Sequence, residues 1–367
     1  MAAIDIGLDR VVPDFLLSGA KWFLQSGIQE ESGGVARYYG MKEARNARIS
    51  TEITGYAVST FLMLYKLTGD EAHREAAVRA GDFLCDRAWD ARCGTFPFEW
   101  SADGVLPEHW TYFFDCGIIT RGLVRLYRET GEAKYIQRAE ECARAMLADF
   151  VNGTDIDPIL ELPSKRATER DSRWSRSPGC YQLKAAMGWL EVGEATGERR
   201  LVEAYEKALD DAMGCQEGFL TAEGPGDRVM DRLHAYGYYL EGLLPRAGVP
   251  EVRQALASGI ETAAAHLSEF GSGFERSDVV AQLLRVKLLA PGAVAFEEGA
   301  ALDEIRRIAA FQMSSSDRRV DGAFCFGRRG SDLLPFANPV SGAFCLQALA
   351  QCESRRCGDS PDWRELI

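Results

Sequence analysis

One short turn recurs along the chain, as Leu67-Thr68-Gly69-Asp70, Glu129-Thr130-Gly131-Glu132 and Ala195-Thr196-Gly197-Glu198. The threonines of successive copies are 62 and 66 residues apart. Glycine favours the left-handed conformation that ends a helix, and the acidic residue after it favours the start of another. Because a connection this short forces two helices to lie antiparallel, each copy predicts a helical hairpin.

The helices on the two sides of these turns differ in their apolar pattern. Residues 56–67 are apolar on more than one side, which is typical of a helix that is buried all round. Residues 133–150 and 199–213 place their apolar side chains on one stripe and their charged side chains elsewhere. This alternation predicts an inner ring of buried helices within an outer ring of amphipathic helices.

The segments that lead from an outer helix to the next inner helix combine glycine with aromatic residues. They are residues 34–39, 94–100, 218–220, 273–275 and 322–326. Such patterns indicate short extended segments. The inner helices are then expected to start near residues 52, 115, 180, 233, 278 and 340.

Two predicted helices remain without a partner in sequence, one at about 14–26 and one at about 340–353. If they pair with each other, the hairpins close into a ring, whereas an open stack would need a cap at each end. The sequence therefore predicts an all-α fold, an (α/α)6 toroid of six helical hairpins whose N- and C-terminal helices pair. Short β segments are expected in the return loops, and residues 1–367 are expected to form one domain.

The composition argues against several classes of protein. The 367 residues are 46% hydrophobic, which is enough for a sizeable core, and the formal net charge is −13. This charge argues against nucleic acid or an anionic membrane as the main partner. Residues 1–9 have neither the basic nor the apolar region of a secretory signal, and no stretch has the apolar length of a membrane span.

The ten cysteines contain no Cys-x-x-Cys pair. Without a secretory signal, reduced thiols in a cytoplasmic protein are the simplest expectation. A zinc site is not expected, and the sequence gives no indication of another metal or a cofactor. It makes no prediction of the oligomeric state.

Over nearly its full length the predicted architecture resembles the (α/α)6 toroids that include many glycoside hydrolases, polysaccharide lyases and sugar epimerases. The Thr-Gly-Asp/Glu turn is also similar to that of protein prenyltransferases and terpene cyclases. The resemblance implies a fold in which the starts of the inner helices and the long return loops meet on one rim. Functional loops are typically long and non-periodic, so we expect a site on that rim.

Three carboxylates stand at corresponding positions on this rim, Glu52, Asp115 and Asp278. Glycoside hydrolysis and related proton transfers need a carboxyl group as acid or base, which makes Glu52 and Asp115 candidate catalytic residues and Asp278 a candidate substrate ligand. The alternative is that the two aspartates cap their helices, a common role of Asp at such positions. Glu is a poorer cap.

The stretch Asp115-Cys116-Gly117, which follows Phe113-Phe114, resembles the Asp-x-Gly start of an inner helix in unsaturated glucuronyl hydrolases. This resemblance implies that Asp115 is one of two acids of a catalytic site. The second acid, expected at the next inner helix, has no match in Ser177-Pro178-Gly179-Cys180-Tyr181.

Basic and aromatic residues are frequent on the same rim. Arginine forks bind carboxylate or phosphate, and flat rings stack on sugars, so these residues are candidate substrate contacts. The alternatives are solvated loop charge for the arginines and core packing for the rings. The candidates are Arg37, Tyr38, Tyr39, Arg48, Trp110, Arg173, Trp174, Arg176, Tyr181 and Tyr236.

His234, at the start of the fourth inner helix, is a candidate proton carrier with a structural role as the alternative. An epimerase with two histidines would need a second one on this rim, and His109 is the plausible mate because His73 and His266 fall in outer helices.

These features favour a carbohydrate-active enzyme, a hydrolase, lyase or epimerase, that acts through rim carboxylates on a small saccharide, which we expect to contain a uronate. One alternative is a non-catalytic helical toroid that binds a ligand. A terpene cyclase or prenyltransferase is a weaker alternative, because no Asp-rich metal-binding motif stands on the rim.

Overall fold

The computed structural model describes residues 8–106, 109–220, 225–290, 292–293, 298–359 and 361–367. Residues 1–7, on which most of the argument against a secretory signal rests, lie outside the described residues. Within the described residues the chain forms twelve α-helices. They are α1 (Leu8–Gln25), α2 (Thr51–Thr68), α3 (Glu71–Phe83), α4 (Phe113–Thr130), α5 (Ala133–Ala145), α6 (Leu183–Thr196), α7 (Arg199–Cys215), α8 (Gly226–Leu243), α9 (Pro250–Phe270), α10 (Ser277–Leu289), α11 (Glu298–Ala309) and α12 (Pro339–Arg356).

The even-numbered helices form the inner ring and the odd-numbered helices the outer one. Neighbouring inner helices pack against each other around the ring, and α12 contacts both α2 and the N-terminal helix α1. This confirms the predicted six-hairpin toroid and its closure by the terminal helices. No helix in the described parts of the chain is long and apolar enough to cross a membrane.

The Thr-Gly turns are built as the sequence predicts. Gly69, Gly131 and Gly197 end their helices with φ of 68°, 72° and 79°. The threonine before each glycine has a role that sequence reasoning missed. Each hydroxyl donates to the carbonyl four residues earlier and accepts from the backbone N–H two residues later, so it closes the turn on both sides.

The fourth inner helix is the exception to the predicted starts. Helix α8 begins at Gly226 rather than near residue 233. Its first turns carry charged, partly exposed side chains such as Arg228 and Asp231, which give no apolar period from which a start could be predicted. The turn after α8 is a 3₁₀ segment, Leu244–Arg246, with no Thr-Gly motif.

Short strands tie the return loops together at the rim where the inner helices begin. The pairs assigned between them are antiparallel, in three-stranded sheets of order β1-β4-β5, β10-β9-β6, β11-β12-β13 and β14-β2-β3 and a two-stranded sheet β7-β8. The strands are β1 (Val35–Ala36), β2 (Tyr39–Gly40), β3 (Arg45–Asn46), β4 (Ile49–Ser50), β5 (Glu99–Trp100), β6 (Trp110–Tyr112), β7 (Val151–Asn152), β8 (Asp155–Ile156), β9 (Ile159–Glu161), β10 (Arg166–Ala167), β11 (Phe274–Arg276), β12 (Gly327–Arg329), β13 (Asp332–Leu333) and β14 (Phe336–Ala337).

Residues 363–367 fill the centre of the toroid from the end that carries the Thr-Gly turns. Arg121 of α4 donates to the Leu366 carbonyl (2.9 Å), and Lys184 of α6 donates to the backbone oxygen of Ile367 (2.8 Å). Leu366 and Ile367 are buried. This end of the axis is therefore closed by protein, and a site in the middle of the ring must open at the other rim.

Three inner helices approach each other at glycines. A Cβ on Gly122 of α4 would lie 2.6 Å from the Gly55 carbonyl of α2, and one on Gly117 would collide with the backbone of Ala185 in α6. Because the colliding atoms belong to backbones, the helices could not accept a methyl group without moving apart. These contacts hold the first turns of α2, α4 and α6 close together.

We predict that Gly117→Ala destabilises the fold by about 1–3 kcal/mol, because overpacking must shift a helix. Gly214→Ala serves as the control, since Gly214 lies in α7 with open space around its Cα. That change is expected to alter stability by less than about 1 kcal/mol. Denaturant unfolding of the two variants measures the difference, and equal stabilities would contradict the glycine-mediated packing.

Candidate active site

Glu52 and Asp115 lie in the first turns of neighbouring inner helices, α2 and α4. Neither carboxylate serves as the N-cap of its helix: the Ser50 side chain accepts from the N–H of Ile53, and Tyr112 is the N-cap residue of α4. Asp115 is only 3% exposed, and its Oδ2 has no hydrogen-bond partner among the described residues. Glu52 is surrounded by protein but keeps part of its surface open to solvent. The pair therefore lies at the rim, with Asp115 enclosed by protein and Glu52 partly open to solvent.

Burial makes both carboxyl groups hold their protons more tightly. It raises the pKa of Glu52 to about 7, against the opposing charges of Arg37 and Lys184. The pKa of Asp115 is raised well above its usual range by burial and then by the charge of Glu52. Because the two groups interact, they titrate as a pair that retains a proton near neutral pH. Such a pair can act as acid and base in one reaction.

Two arginines near the carboxyl pair both bind the buried carboxylate of Glu99. Arg37 Nη1 donates to Glu99 Oε1 at 3.0 Å, and Arg48 Nη1 donates to Oε2 at 3.4 Å. The Arg37 guanidinium also lies over the ring of Phe98, 5.1 Å from its centroid. The side chains of Arg37 and Arg48 remain 43% and 52% exposed, so both cations are accessible to an anionic ligand.

His234 of α8 contributes a second group that can carry a proton. Its Nδ1 lies 2.6 Å from Gln282 Oε1 and 3.8 Å from Asp278 Oδ2. Because both neighbours are acceptors, Nδ1 carries the hydrogen and Nε2 keeps its lone pair. Burial lowers the pKa of His234 to about 4, so the ring is neutral near pH 7. The Tyr238 ring lies 4.5 Å away between centroids.

The environment of Asp278 differs from that of Glu52 and Asp115, because Asp278 is paired with an arginine. Both of its oxygens accept from Arg276, at 3.0 and 2.7 Å, and Arg276 also donates to Asp231 (2.7 Å). Arg276 holds the pKa of Asp278 below its usual range although burial opposes this. Asp278 is therefore buried and ion-paired, and it lies beside His234. Its role as a substrate ligand stays a prediction from the sequence.

Three aromatic candidates have side chains in the packed interior. Tyr236 points outward toward Gly259 of α9, and its hydroxyl donates to Gln216. Tyr39 is buried under Arg319, whose guanidinium lies over its ring. Tyr181 is buried, and its hydroxyl donates to the Ser177 carbonyl. Contact of these three side chains with substrate stays a prediction.

The remaining candidates lie in the return loops. Trp174 packs edge-on against Tyr181, and Arg176 lies over the Trp110 ring at 4.6 Å. Arg173 is engaged with Asp171 through Nε and Nη2. Tyr38 is half-buried against Phe336 of β14.

Lys184 lies beneath the site and was missed in the sequence. Its Nζ donates to Glu241 (2.5 Å) and lies about 5 Å from the ring centroids of Tyr56, Tyr238 and Phe344. Burial lowers the pKa of Lys184 well below its usual range. A lysine in the apolar first half of inner helix α6 was the available signal.

No arrangement of three or more His, Cys, Asp or Glu side chains suited to a metal ion is present among the residues that the structure describes. The ten cysteines are free thiols, and eight of them are buried.

The sequence and the structure were compared with those of known proteins, and the comparison supports the fold. No family model matches the chain. Over 132 residues the sequence is 32% identical to the unsaturated chondroitin disaccharide hydrolase of Streptococcus pneumoniae (strain ATCC BAA-255 / R6), a match that covers 32% of this chain and about a third, 33%, of that protein.

Three solved structures of sugar-acting enzymes are similar over nearly the whole chain. A sugar epimerase from a ruminal bacterium gives a TM-score of 0.71 at 11% identity, covering 92% of this chain and 97% of its own. Cellobiose 2-epimerase from Spirochaeta thermophila gives a TM-score of 0.69 at 15% identity, and the similarity covers 95% of each chain. A D-mannose isomerase gives 0.69 at 9% identity, covering 96% of this chain and 100% of its own. These identities are too low to carry more than the fold.

The raised carboxyl pKa values predict how stability depends on pH. Between pH 4.5, which is the ordinary pKa of its carboxyl group, and about pH 7, Glu52 binds its proton more tightly in the folded state than in the unfolded state. Its contribution to stability is therefore present at low pH and is lost as the pH rises through about 7. We expect Glu52→Gln to gain thermal stability relative to the wild type between about pH 5 and about pH 8. Melting curves test this, with Glu203→Gln on exposed α7 as control; a constant difference across pH would contradict it.

The tautomer of His234 is a second prediction of this geometry. In ¹⁵N-histidine spectra, assigned with His234→Asn, we expect an Nδ1–H ring that stays neutral down to a pH of about 4. Gln282→Met removes the acceptor and should weaken this preference, whereas Gln282→Glu should raise the histidine pKa. An Nε2–H ring in the wild type would show that Gln282 does not set the tautomer.

Proposed function

We propose that this member of the six-hairpin toroid superfamily is a carbohydrate-active enzyme that hydrolyses a small anionic saccharide with Glu52 and Asp115. The observation that carries the proposal is the buried pair of carboxyl groups, which keeps one proton near neutral pH and lies where the inner helices begin. A buried acid without a capping role is costly to the fold, so its presence favours a chemical role.

The two carboxyl groups differ in a way that suits acid and base roles. Asp115 is the more deeply enclosed and feels the charge of Glu52, so it is the group that stays protonated and can donate to the leaving oxygen. Glu52 is stabilised as a carboxylate by Arg37 and Lys184 and is partly open to solvent. It can take a proton from the water that attacks the sugar carbon.

The charge around the pair supports an anionic substrate. Arg37 and Arg48 share a single carboxylate, Glu99, so the three groups together carry a net positive charge, and the charge of Arg37 acts on Glu52. Guanidinium groups bind carboxylates through two parallel hydrogen bonds. The partial similarity to a chondroitin disaccharide hydrolase agrees with a saccharide that bears a carboxylate.

His234 favours a second candidate, the epimerisation or isomerisation of a sugar. Its neutral ring keeps an unprotonated Nε2, and it stands on α8, apart from the carboxyl pair on α2 and α4. Such a reaction removes a proton from a sugar carbon with a base and returns one with an acid, which two separate groups can do.

The two candidates are separated by assays in D₂O with unsaturated chondroitin disaccharide and with a neutral reducing disaccharide. Hydrolysis cleaves the first substrate and leaves the sugar carbons of the second without deuterium, whereas epimerisation places deuterium on a sugar carbon. For hydrolysis we expect Glu52→Gln and Asp115→Asn each to lose about 10²-fold or more in kcat, the usual contribution of a general acid or base.

Asp211→Asn on the outer helix α7 serves as the matched control and should keep full activity. Full activity in both rim variants would contradict the catalytic assignment. Deuterium incorporation that depends on His234 and not on cleavage would move the assignment to the second candidate.

A further inference from the structure

We propose that Lys184 is a positioning residue for the reaction, a buried cation that lies beneath the site and stabilises Glu52 as a carboxylate. This inference rests on the proposed function, in which Glu52 is the base, and it names the group that keeps this base ready. Lys184 is the second residue of α6 and acts through Glu52, not on the saccharide itself.

The amine of Lys184 is enclosed in the centre of the toroid. The side chain is completely buried, and its Nζ donates to Glu241 Oε2 at 2.5 Å and to the backbone oxygen of Ile367 at 2.8 Å. Three rings surround the nitrogen, with centroids 5.3, 5.0 and 4.9 Å away, and they belong to Tyr56, Tyr238 and Phe344. A carboxylate and aromatic faces both favour the charged form of an amine.

Two of these rings connect the amine to the groups that are candidates for the chemistry. Tyr56 stands four residues after Glu52 on α2, and Tyr238 stands four residues after His234 on α8. Residues four apart lie on the same face of a helix, about 6 Å along its axis. Because the inner helices begin at the open rim, Lys184 faces the helical turn that lies directly below Glu52.

The charged groups around Lys184 come from three other inner helices. Glu241 of α8 accepts from Lys184 and also from Arg285 of α10, so one carboxylate is shared between two cations. Arg121 of α4 acts on Lys184 as well, but it donates to its own partner, Glu191, at 2.8 Å. Glu241 is therefore shared and does not cancel the charge of Lys184 completely.

The charge of Lys184 acts on Glu52 from below. Burial raises the pKa of Glu52, and the charges of Arg37 and Lys184 oppose this rise. Arg37 is partly exposed and bound to Glu99, whereas Lys184 is shielded from solvent. A charge acts over a longer distance in a protein interior than in water, because the interior has a lower dielectric constant.

The alternative is a structural role, in which Lys184 only holds Ile367 in the centre of the ring. Burial lowers the pKa of Lys184 well below its usual range, so the fold bears a cost for keeping an amine there. Replacing a buried ion pair by apolar side chains is often neutral or even stabilising. Stability alone therefore does not account for a lysine at this position.

Carbon-13 titration of Glu52 in the Lys184→Met protein separates the two roles, because methionine keeps the length of the side chain and removes its charge. We expect the Glu52 midpoint to rise by about 0.5–1 pH unit, less than the roughly 1–3 units of a direct ion pair. Lys207→Met, the same change on the exposed face of α7, is the control and should leave the midpoint unchanged. A lower melting temperature with an unchanged midpoint would overturn the inference and leave the structural role.

A measurement on the unaltered protein covers the case in which Lys184→Met does not fold. Lys184 is the buried one among the described lysines, so its amine can be recognised by slow exchange with solvent and by the shifts that three rings impose. We expect the ¹⁵N shift of a charged amine across the pH range in which Glu52 titrates. A neutral amine in that range would overturn the inference, since it cannot stabilise a carboxylate.

The pH profile of activity provides a readout that a structural role would not move. Because Glu52 acts as the base, the acidic limb of the kcat/KM profile should move to higher pH in Lys184→Met. Below the midpoint the activity should fall by about 3- to 10-fold, with little change above it. An equal loss at every pH would contradict the inference.

This outcome is separate from that of the proposed function. A shifted Glu52 midpoint in a protein that cleaves no saccharide would remove the hydrolysis and keep the coupling between Lys184 and Glu52. Cleavage that requires Glu52, with an acidic limb that Lys184→Met does not move, would do the reverse.

Discussion

Close contact between the backbones of neighbouring inner helices is the constraint on which the rest of this structure depends. Gly55, Gly117 and Gly122 let α2, α4 and α6 approach until backbone meets backbone, and the Thr-Gly turns join each of these three helices to its outer partner. With residues 363–367 filling one end of the axis, the first turns of the inner helices converge at the other. Any polar residue in those turns is then buried beside the polar residues of its neighbours.

The electrostatics of the site follow from this convergence. Carboxyl groups on α2 and α4 lose water, so their pKa values rise, and the charge of Glu52 raises that of Asp115 further, whereas Asp278 on α10 meets Arg276 and keeps its charge. His234 loses water as well and becomes a neutral ring held by Gln282. The titratable groups on the inner helices thus differ in protonation state, and the difference arises from the charged and polar groups next to each of them.

Much of the fold could be predicted from the sequence because its signals are local: a glycine that ends a helix, an apolar period, and a glycine-aromatic segment. The site was only partly predictable, because its determinants are distant in sequence. Lys184 meets Glu241, 57 residues away, and His234 meets Gln282, 48 residues away. An aromatic residue on an inner helix faces either the centre of the ring or an outer helix, and the composition around Tyr236 did not distinguish these two directions. The environments of Glu99 and Tyr112 could have been predicted, because each residue lies on a short strand. Along a strand, successive side chains alternate between an inward and an outward direction.

The central claim is that Glu52 and Asp115 hold a proton between them near neutral pH. Carbon-13 titration of the side-chain carboxyl groups, with Glu52→Gln and Asp115→Asn used for assignment, tests it most directly. The account predicts that Glu52 titrates near pH 7 in the wild type, that Asp115 stays protonated above it, and that the Asp115 midpoint falls when Glu52 is replaced by Gln. If both groups titrate near their ordinary values of about 4, or if Asp115 does not respond to the loss of Glu52, the pair is not coupled and cannot supply acid and base to one reaction.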